Sequence, residues 1–202
     1  MMLGILDYGL GNIRSISNML IYLDIEHIFV KNKEDFSKIN KLILPGIGSF
    51  DTAMKYLNER GFVNEIRNFV LNSNNFLFGI CLGMQILGNI SEEGLSEGLK
   101  LIDYNVKSLN KHTTNNIPHM GWSEVIKFNF NYRNETYDKF YFVHSYFVPL
   151  STNDSNYATI MICDYGFKYS AAIKKNNIYG FQFHPEKSHK FGMELFKFMD
   201  RL

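Results

Sequence analysis

An apolar run that leads directly into a helical segment, with a cysteine at the junction, is the feature that most constrains this chain. The aromatic-rich run 76–80 predicts a buried strand, and residues 82–87 predict the start of a helix. Cys81 lies between them, and Gly79 and Gly83 allow the sharp turn of a nucleophile elbow. The first turn of a helix also favours thiolate over thiol. The alternative is a small buried cysteine, and the Gly-x-Cys-x-Gly motif alone supports both interpretations equally.

The composition is that of a globular protein. With 202 residues, 46% of them hydrophobic and 15% aromatic, the sequence predicts a single domain spanning residues 1–202. A formal net charge of +1 gives no reason to expect a nucleic acid or a membrane surface as partner. Cys81 and Cys163 are too few for a disulfide framework. No apolar run approaches the ~20 residues of a membrane span, and the N-terminus lacks a signal-peptide pattern, so we expect a cytoplasmic protein.

Strands and helices alternate along the first half of the chain. Such alternation predicts a parallel, doubly wound α/β sheet whose active site lies at the carboxyl ends of its strands. Both Cys81 and the Pro-Gly-Ile-Gly loop 45–48 lie at such ends, and the loop offers free backbone N–H groups to an anion. An ordinary tight turn explains the loop equally well. The predicted strands are 3–6, 25–30 and 41–44. Two predicted helices begin at Ile13 and Phe50, and a third spans residues 62–71.

The loop after the first strand contains Gly9-x-Gly11, which is also part of a dinucleotide-binding motif. The third glycine of that motif is missing, and Lys31 occupies the place where an acidic residue would bind the ribose. The sequence therefore disfavours a dinucleotide site.

The second half of the chain is predicted to be mostly β. A last strand, 178–183, ends at His184, and apolar residues at helical spacing from Phe191 to Leu202 predict a closing helix. Polar turns separate the other predicted strands, which are 104–109, 124–130, 139–148, 157–163 and 169–174.

His184 and Glu186 are the partners that a cysteine nucleophile requires. His184 directly follows the last predicted strand, and Pro185 ends any regular ladder there, so the imidazole should stand at a strand end, as Cys81 does. A thiol nucleophile needs a base, and Glu186 could fix the tautomer of that base from two residues on. The predicted triad is therefore Cys81, His184 and Glu186. A structural histidine beside a solvated glutamate is the alternative.

The remaining histidines do not form a metal site. No pair of them has metal-ligand spacing with cysteine or aspartate, so no metal is expected. His144, in a strand, and His119, beside Pro118, are interpreted as core or interface residues, and surface positions are predicted for His27, His112 and His189.

Eight short motifs, two of which contain the predicted triad residues, are distributed over essentially the whole chain. They are Asp7-Tyr8-Gly9-x-Gly11-Asn12, Pro45-Gly46-x-Gly48, Gly79-x-Cys81-Leu82-Gly83-Met84-Gln85, Ser91-Glu92-Glu93-Gly94, Pro118-His119-Met120-Gly121-Trp122, Phe142-Val143-His144-Ser145-Tyr146, Asp164-Tyr165-Gly166 and Gln182-Phe183-His184-Pro185-Glu186-Lys187-Ser188.

In these motifs the chain closely resembles the class I (triad) glutamine amidotransferases, and within them the glutaminase subunits of imidazole glycerol phosphate synthase. Every triad amidotransferase shares the elbow and the His-Pro-Glu sequence, so these identify the reaction. The first, fifth and last motifs are narrower and indicate the subunit. One residue departs from the family pattern, since Ser123 follows the tryptophan where asparagine is usual. The resemblance implies a flavodoxin-like, doubly wound, mostly parallel sheet with helices on both faces.

The resemblance also implies a reaction and its residues. Glutamine would bind across the elbow, Cys81 would attack its side-chain amide, and His184 would protonate the departing ammonia. The oxyanion would be bound by backbone N–H groups of Leu82 and of the loop residues Gly46, Ile47 and Gly48. The residues implied to hold the α-amino and α-carboxylate groups of glutamine are Gln85, Glu93, Ser145 and Tyr146. Helix capping and core packing would explain those four equally simply. No cofactor or metal is implied.

The implied partner is a (β/α)8 barrel cyclase subunit, which in a heterodimer receives the ammonia through a channel. The cyclase would form imidazole glycerol phosphate and AICAR in histidine biosynthesis. The residues that match partner-facing positions are Asn12, Met120, Trp122, Tyr141 and Lys187. An exposed tryptophan is a plausible interface anchor on general grounds, although a lone tryptophan is more often in the core.

Three other functions fit parts of the sequence. A paralogous glutaminase could supply ammonia to another synthase, such as one that forms an amidino group on a surface sugar, and Ser123 is compatible with either. A peptidase or γ-glutamyl hydrolase could use the same triad, but the complete 118–122 motif argues against it. A binding module without activity is disfavoured because the three triad residues are all present.

Overall fold

The computed structural model describes residues 2–128, 130, 132 and 137–202. Of the helices in this part of the chain, none is long and apolar enough to cross a membrane. The helices are α1 (Ile13–Tyr22), α2 (Phe50–Glu59), α3 (Phe62–Leu71), α4 (Leu82–Gln85) and α5 (His189–Arg201). The strands are β1 (Met2–Leu6), β2 (His27–Val30), β3 (Ile39–Leu44), β4 (Phe76–Ile80), β5 (Ile90–Ser91), β6 (Asn105–Ser108), β7 (His119–Lys127), β8 (Tyr137–His144), β9 (Tyr146–Phe147), β10 (Ala158–Asp164), β11 (Lys168–Lys175) and β12 (Ile178–Phe181).

A nine-stranded sheet with the order β2-β1-β3-β4-β12-β11-β10-β7-β8 runs through the described structure. Strands β2 to β12 in this order pair in parallel. From β12 to β8 the neighbouring strands are antiparallel. A small second sheet has the order β5-β6-β9. The predicted α/β, flavodoxin-like fold is confirmed, and the mostly β second half supplies the antiparallel part of the sheet.

The sheet separates two hydrophobic cores, because successive side chains of a strand point to opposite faces. On β3, Ile43 belongs to one core and Leu42 and Leu44 to the other. Helices α1 and α5 contribute to the first core, and α2 and α3 contribute to the second. Strand β4 lies between β3 and β12 and is covered on both faces, which explains its continuous apolar sequence.

The predicted strands that differ most from the observed ones are those at 124–130 and 139–148. The strand predicted at 124–130 begins earlier, because β8 pairs with β7 from His119 onward, opposite His144. Asn129 of that prediction lies outside the described residues. The strand predicted at 139–148 is divided at Ser145, because β8 stays in the large sheet while β9 pairs with β6 in the small one.

Candidate active site

Cys81 lies at the sharp turn between β4 and α4. Its φ of +55° and ψ of −111° are rare for a residue other than glycine, as expected for a strained elbow. The backbone N–H of Cys81 donates to the Phe181 carbonyl at 2.7 Å, which continues the pairing of β4 with β12 up to the thiol. A Cβ atom on Gly83 would lie 1.9 Å from the Leu44 carbonyl oxygen, so only glycine permits this approach of helix and strand.

His184 and Glu186 form a buried pair just after β12. The two atoms that join them, His184 Nδ1 and Glu186 Oε1, are 2.8 Å apart. The turn is attached to β8 at two points: the His184 N–H donates to the Tyr141 carbonyl at 2.8 Å, and the Tyr141 N–H donates to Ser188 Oγ at 3.0 Å. The Ser188 hydroxyl in turn donates to the His184 carbonyl at 2.6 Å. The imidazole is therefore held by its neighbours in both orientation and position.

The surroundings of His184 favour its protonated form. Burial opposes the charge, but the interaction with Cys81, followed by the hydrogen bond and charge of Glu186, raises the pKa of His184 to about 10. Because Nδ1 is occupied by Glu186, the ring proton on Nε2 is the one available for transfer. Nε2 is buried and has no conventional hydrogen bond within the described residues.

A cavity of about 460 Å³ opens in front of this pair. It brings together most of the residues that the sequence predicts for catalysis and substrate binding. Glu186 lies behind His184, outside the lining, and Gly46 packs below the elbow. The lining residues are Ile47, Gly48, Cys81, Leu82, Gln85, Glu93, Pro118, Val143, His144, Ser145, Tyr146, His184 and Lys187.

Gln85 is held in one orientation by two acceptors. Its Nε2 donates to the Tyr146 carbonyl at 2.9 Å and to Gln182 Oε1 at 3.1 Å, so both of its N–H groups are used inside the protein. Gln182 is fully buried, and its own Nε2 lies 3.8 Å from Cys81 Sγ. The group that Gln85 retains for a ligand is therefore its Oε1, an acceptor.

Glu93 connects the cavity to the start of α2. Its Oε2 accepts the backbone N–H of Phe50 at 2.9 Å, and its own N–H donates to Ser91 Oγ at 3.1 Å. Partial burial raises the pKa of the Glu93 carboxyl, although the Phe50 hydrogen bond opposes this. The half-buried Glu93 carboxylate and Gln85 Oε1 are both acceptors in the lining, so they give the cavity an affinity for cations.

The loop 45–48 lies directly against the elbow. The Tyr8 hydroxyl donates to the Pro45 carbonyl at 2.8 Å and anchors the beginning of the loop. A Cβ atom on Gly46 would lie 2.7 Å from the Leu82 Cβ, so the loop backbone touches the first residue of α4. Gly48 has a φ of +106° and open space around it. The loop is thus tightly placed at its start and sterically unhindered at its end.

Four of the five residues predicted to face a partner form one surface beside the cavity. Met120 and Trp122 are 61% and 40% exposed. The Trp122 ring packs edge-on against Tyr141, with centroids 6.3 Å apart, and Lys187 Nζ lies 5.6 Å from the Tyr141 ring. Asn12 lies at the N-terminus of α1, and no described contact joins it to this group. Their role as an interface stays a prediction.

Ser123, the departure from the family pattern, does not point outward with Trp122. Its Oγ lies 2.8 Å from Nε2 of the buried His119. Side chains of β7 alternate between the two faces of the strand, so the change affects the interior of this region rather than the exposed surface.

Three residues that support the site were not assigned a role from the sequence. The sequence could have indicated a role for Gln182, since a glutamine between Phe181 and Phe183 in a predicted apolar strand needs buried hydrogen-bond partners. It could not have indicated Ser188 or Tyr8, because a serine after a turn and a tyrosine after a strand are common at the surface as well.

Comparison with known proteins places the chain in a family. A model of the family "Glutamine amidotransferase class-I" matches residues 4–200. The chain is 41% identical to imidazole glycerol phosphate synthase subunit HisH 2 of Pseudomonas aeruginosa, and the match covers 97% of each chain. It is 43% identical to the subunit of the same name from Methanococcus maripaludis, with 96% of each covered.

Solved structures agree on the fold. A crystal structure of a glutamine amidotransferase superimposes with a TM-score of 0.79 at 20% identity and covers 98% of this chain and 97% of that one. PurLQS from Thermotoga maritima gives a TM-score of 0.72 at 16% identity, with 98% and 96% covered. The resemblance found in the sequence motifs is confirmed, and the chain belongs to the class I glutamine amidotransferases.

Proposed function

We propose that this chain is the glutaminase subunit of an imidazole glycerol phosphate synthase, which hydrolyses L-glutamine and passes the ammonia to a (β/α)8 barrel cyclase subunit. One observation carries the proposal: a single cavity contains the strained Cys81, the buried His184 of the His184–Glu186 pair and the fixed Gln85 acceptor. The names of the full-length curated relatives support the choice of synthase.

The first half of the reaction transfers the glutamyl group to the thiol. The Cys81 thiolate attacks the side-chain amide carbon of glutamine and forms a tetrahedral intermediate. As the carbon–nitrogen bond breaks, the proton on His184 Nε2 moves to the leaving nitrogen, and ammonia departs. The raised pKa of His184 keeps that proton in place until it is needed. The product is a glutamyl thioester and a neutral imidazole.

The second half returns the enzyme to its starting state. Neutral His184 accepts a proton from water, and the resulting hydroxide attacks the thioester carbon. The carbon–sulfur bond then breaks, which restores the Cys81 thiolate beside the protonated His184, and the new carboxylic acid loses its proton to solvent and leaves as glutamate. The Glu186 hydrogen bond to Nδ1 keeps the ring in the tautomer that presents Nε2 in both halves.

The negative charge of each tetrahedral intermediate needs hydrogen-bond donors. Leu82 is the first residue of α4, so its N–H has no partner within the helix. A second donor would come from a peptide of residues 46–48, whose backbone lies against Leu82. Each such donor is worth about 3 kcal/mol of transition-state stabilisation.

The polar end of the cavity suits the amino-acid end of glutamine. Gln85 Oε1 and the Glu93 carboxylate are acceptors for the α-ammonium group, and peptide N–H groups of Ser145 and Tyr146 are candidates for the α-carboxylate. Two methylene groups of the glutamine side chain then separate its α-carbon from the amide carbon that Cys81 attacks.

Ammonia released into water would be protonated and lost as a nucleophile, which is the physical reason for a partner. We assign the surface of Met120, Trp122, Tyr141 and Lys187 to the barrel subunit, because it combines an exposed tryptophan with the cavity-lining Lys187.

The proposed function is tested by mixing the purified chain with the cyclase subunit of the same organism. We expect formation of the imidazole product with glutamine as the nitrogen source, and co-purification of the two subunits. A Cys81→Ser chain in the same mixture should support product formation from ammonium salt only. Transfer of ammonia to a different synthase, with none to the cyclase, would instead establish the paralogous pathway.

The pH profile should depend on Glu186. The pKa of His184 is raised in part by Glu186, so its proton is retained up to about pH 10 and lost above it. Glu186→Gln removes the negative charge, and the alkaline limb of kcat/KM, which reports the pKa values of the free enzyme, should move to lower pH. Glu194→Gln makes the same change on the outer surface of α5, where Glu194 pairs with Lys197, and should leave the limb in place. Identical limbs in the two variants would contradict the role of Glu186.

An electrophilic glutamine analogue should label Cys81 and spare Cys163. Cys81 lines the cavity, whereas Cys163 is fully buried in β10, as predicted. Burial also raises the pKa of the Cys163 thiol to about 11, so it carries almost no thiolate at neutral pH. Mass spectrometry of the labelled peptides measures the ratio, and a main adduct on Cys163 would reverse the two assignments.

A further inference from the structure

A continuous set of hydrogen bonds connects β7 to the cavity. Ser123 Oγ lies 2.8 Å from His119 Nε2, and His119 Nδ1 lies 2.9 Å from the Tyr169 hydroxyl. The same hydroxyl lies 3.1 Å from His144 Nε2. His144 Nδ1 lies 2.8 Å from the carbonyl oxygen of Tyr146. We call these five residues the polar chain.

The direction of each hydrogen bond in the polar chain can be deduced by starting from its last member, the carbonyl oxygen of Tyr146. Burial lowers the pKa of His119 to about 4, and burial together with the interaction with His119 lowers the pKa of His144 to about 3. Both rings are therefore neutral near pH 7 and carry one proton each. The Tyr146 carbonyl can only accept, so the His144 proton is on Nδ1.

The remaining directions are then determined. Since His144 Nε2 has no proton, it is paired only when the Tyr169 hydroxyl donates to it, and this is the arrangement in which all four ring nitrogens of His119 and His144 have partners. The Tyr169 oxygen can then accept from His119 Nδ1–H, which leaves His119 Nε2 as the acceptor for the Ser123 hydroxyl. Every donor in the polar chain points from Ser123 towards the cavity.

The polar chain ends on a group that the cavity uses. The Tyr146 carbonyl oxygen also accepts from Gln85 Nε2 at 2.9 Å, so its two lone pairs are occupied by His144 and Gln85. His144, Tyr146 and Gln85 line the cavity, whereas Tyr169 is fully buried outside it. Of the two histidines that the Tyr169 hydroxyl contacts, His144 is the one that lines the cavity, so Tyr169 can influence a ligand through His144.

We propose that Tyr169 is a positioning residue for glutamine binding, which acts through His144 to fix the Tyr146 carbonyl and, with it, the Gln85 amide. The inference rests on the proposed function, because it requires glutamine in this cavity. The other end of the polar chain is Ser123, next to Trp122 on β7. The orientation of the glutamine pocket is thereby tied to the strand that carries the predicted partner surface.

Tyr169→Phe tests the proposal because it deletes one hydroxyl and leaves a ring nitrogen of His119 and of His144 unpaired. Binding of glutamine is measured by calorimetry with Cys81→Ser in both the parent and the variant, so that the ligand is not consumed. We expect the Kd for glutamine to rise at least about 5-fold. With Cys81 present, KM should rise while kcat changes little, since Tyr169 does not contact the triad.

Tyr157→Phe is the matched control. Tyr157 is also buried, and its hydroxyl donates to the Pro149 carbonyl at 3.0 Å on the opposite core. The Tyr157→Phe variant should lose thermal stability without any change in its Kd for glutamine. An unchanged Kd in Tyr169→Phe would overturn the proposal. If the Cys81→Ser parent itself fails to bind glutamine, the assignment of the cavity is wrong, and the positioning role falls with it.

Ser123 variants provide a test at a half-buried position. Ser123→Ala removes the donor that fixes the His119 tautomer, so Tyr169 can donate to His119 instead of His144, and the Kd should rise. Ser123→Asn restores an N–H donor and should restore binding. Equal Kd values for alanine and asparagine would contradict the directional chain.

The tautomer itself can be observed directly. Long-range proton–nitrogen NMR spectra of the full chain should show His144 and His119 both neutral at pH 7 with the proton on Nδ1. An Nε2–H tautomer of His144 would overturn the deduced direction, whatever the binding data show.

Discussion

Replacing Cys81 with serine should lower glutamine hydrolysis by about 1000-fold or more and leave the fold intact. The two side chains are nearly the same size, and the strained backbone at Cys81 makes the same demand on either. The hydroxyl, however, is far harder to ionise than the thiol, so His184 has no thiolate to pair with. The measurement is glutamate release by the purified variant, compared with the parent under identical conditions.

Cys163→Ser is the control for this experiment. It makes the same atomic change at a fully buried site on β10 that does not line the cavity. Any loss should appear in the thermal stability of that variant, or in KM through the hydrogen bond between Cys163 and Tyr169, rather than in kcat. Rapid glutamate release by Cys81→Ser would remove Cys81 from the role of nucleophile.

The α/β class of the fold could be predicted from the sequence because its strands are buried to different extents. Strand β4 is covered on both faces and has a continuous apolar run, whereas β7, near the other edge of the sheet, alternates between more and less exposed residues. The order of the strands in the antiparallel half of the sheet could not be predicted from the sequence. Nothing in the sequence of β10 indicates that β7 and β11 are its neighbours.

The proposed triad could be recognised in the sequence because the residues that its chemistry requires form short local patterns. A cysteine between two glycines, and a histidine followed by proline and glutamate, are short patterns with a physical reason for each residue. Tyr169 and Ser188 act through contacts with residues that are distant in the sequence, such as His144 and Tyr141. Residues of this kind become recognisable only when the strands are assembled.

The loop 45–48 can change its conformation without disturbing the residues on either side of it. The structure anchors the loop on both sides: the Tyr8 hydroxyl binds the Pro45 carbonyl, and Glu93 accepts the N–H of Phe50. Between these anchors, Gly48 has open space around it. A change of conformation can therefore be confined to the Ile47–Gly48 peptide, without movement of the elbow or of α2.

The isolated subunit should hydrolyse glutamine slowly, and its ligand-bound cyclase partner should raise the rate about 100-fold or more. The physical reason is that one oxyanion donor recovered by a peptide flip is worth roughly that factor. The measurement is the steady-state glutaminase rate of the subunit alone, with the cyclase, and with cyclase plus its acceptor substrate. Equal rates in the three mixtures would show that the donor is always in place.

Gly48→Ala tests the flip in the subunit alone. A flip of the Ile47–Gly48 peptide changes the φ of residue 48 by about 180°, from +106° to about −74°. Alanine is strained in the first conformation and unstrained in the second, so the substitution should favour the flipped loop and raise the basal rate about 10-fold. Gly61→Ala places alanine at another positive φ, +71°, where only the flexible Lys33 side chain is near, and should cost stability without changing the rate. If the basal rates of the two variants are the same, the loop does not control the activity, because the strain at Gly48 then has no effect on the oxyanion donors.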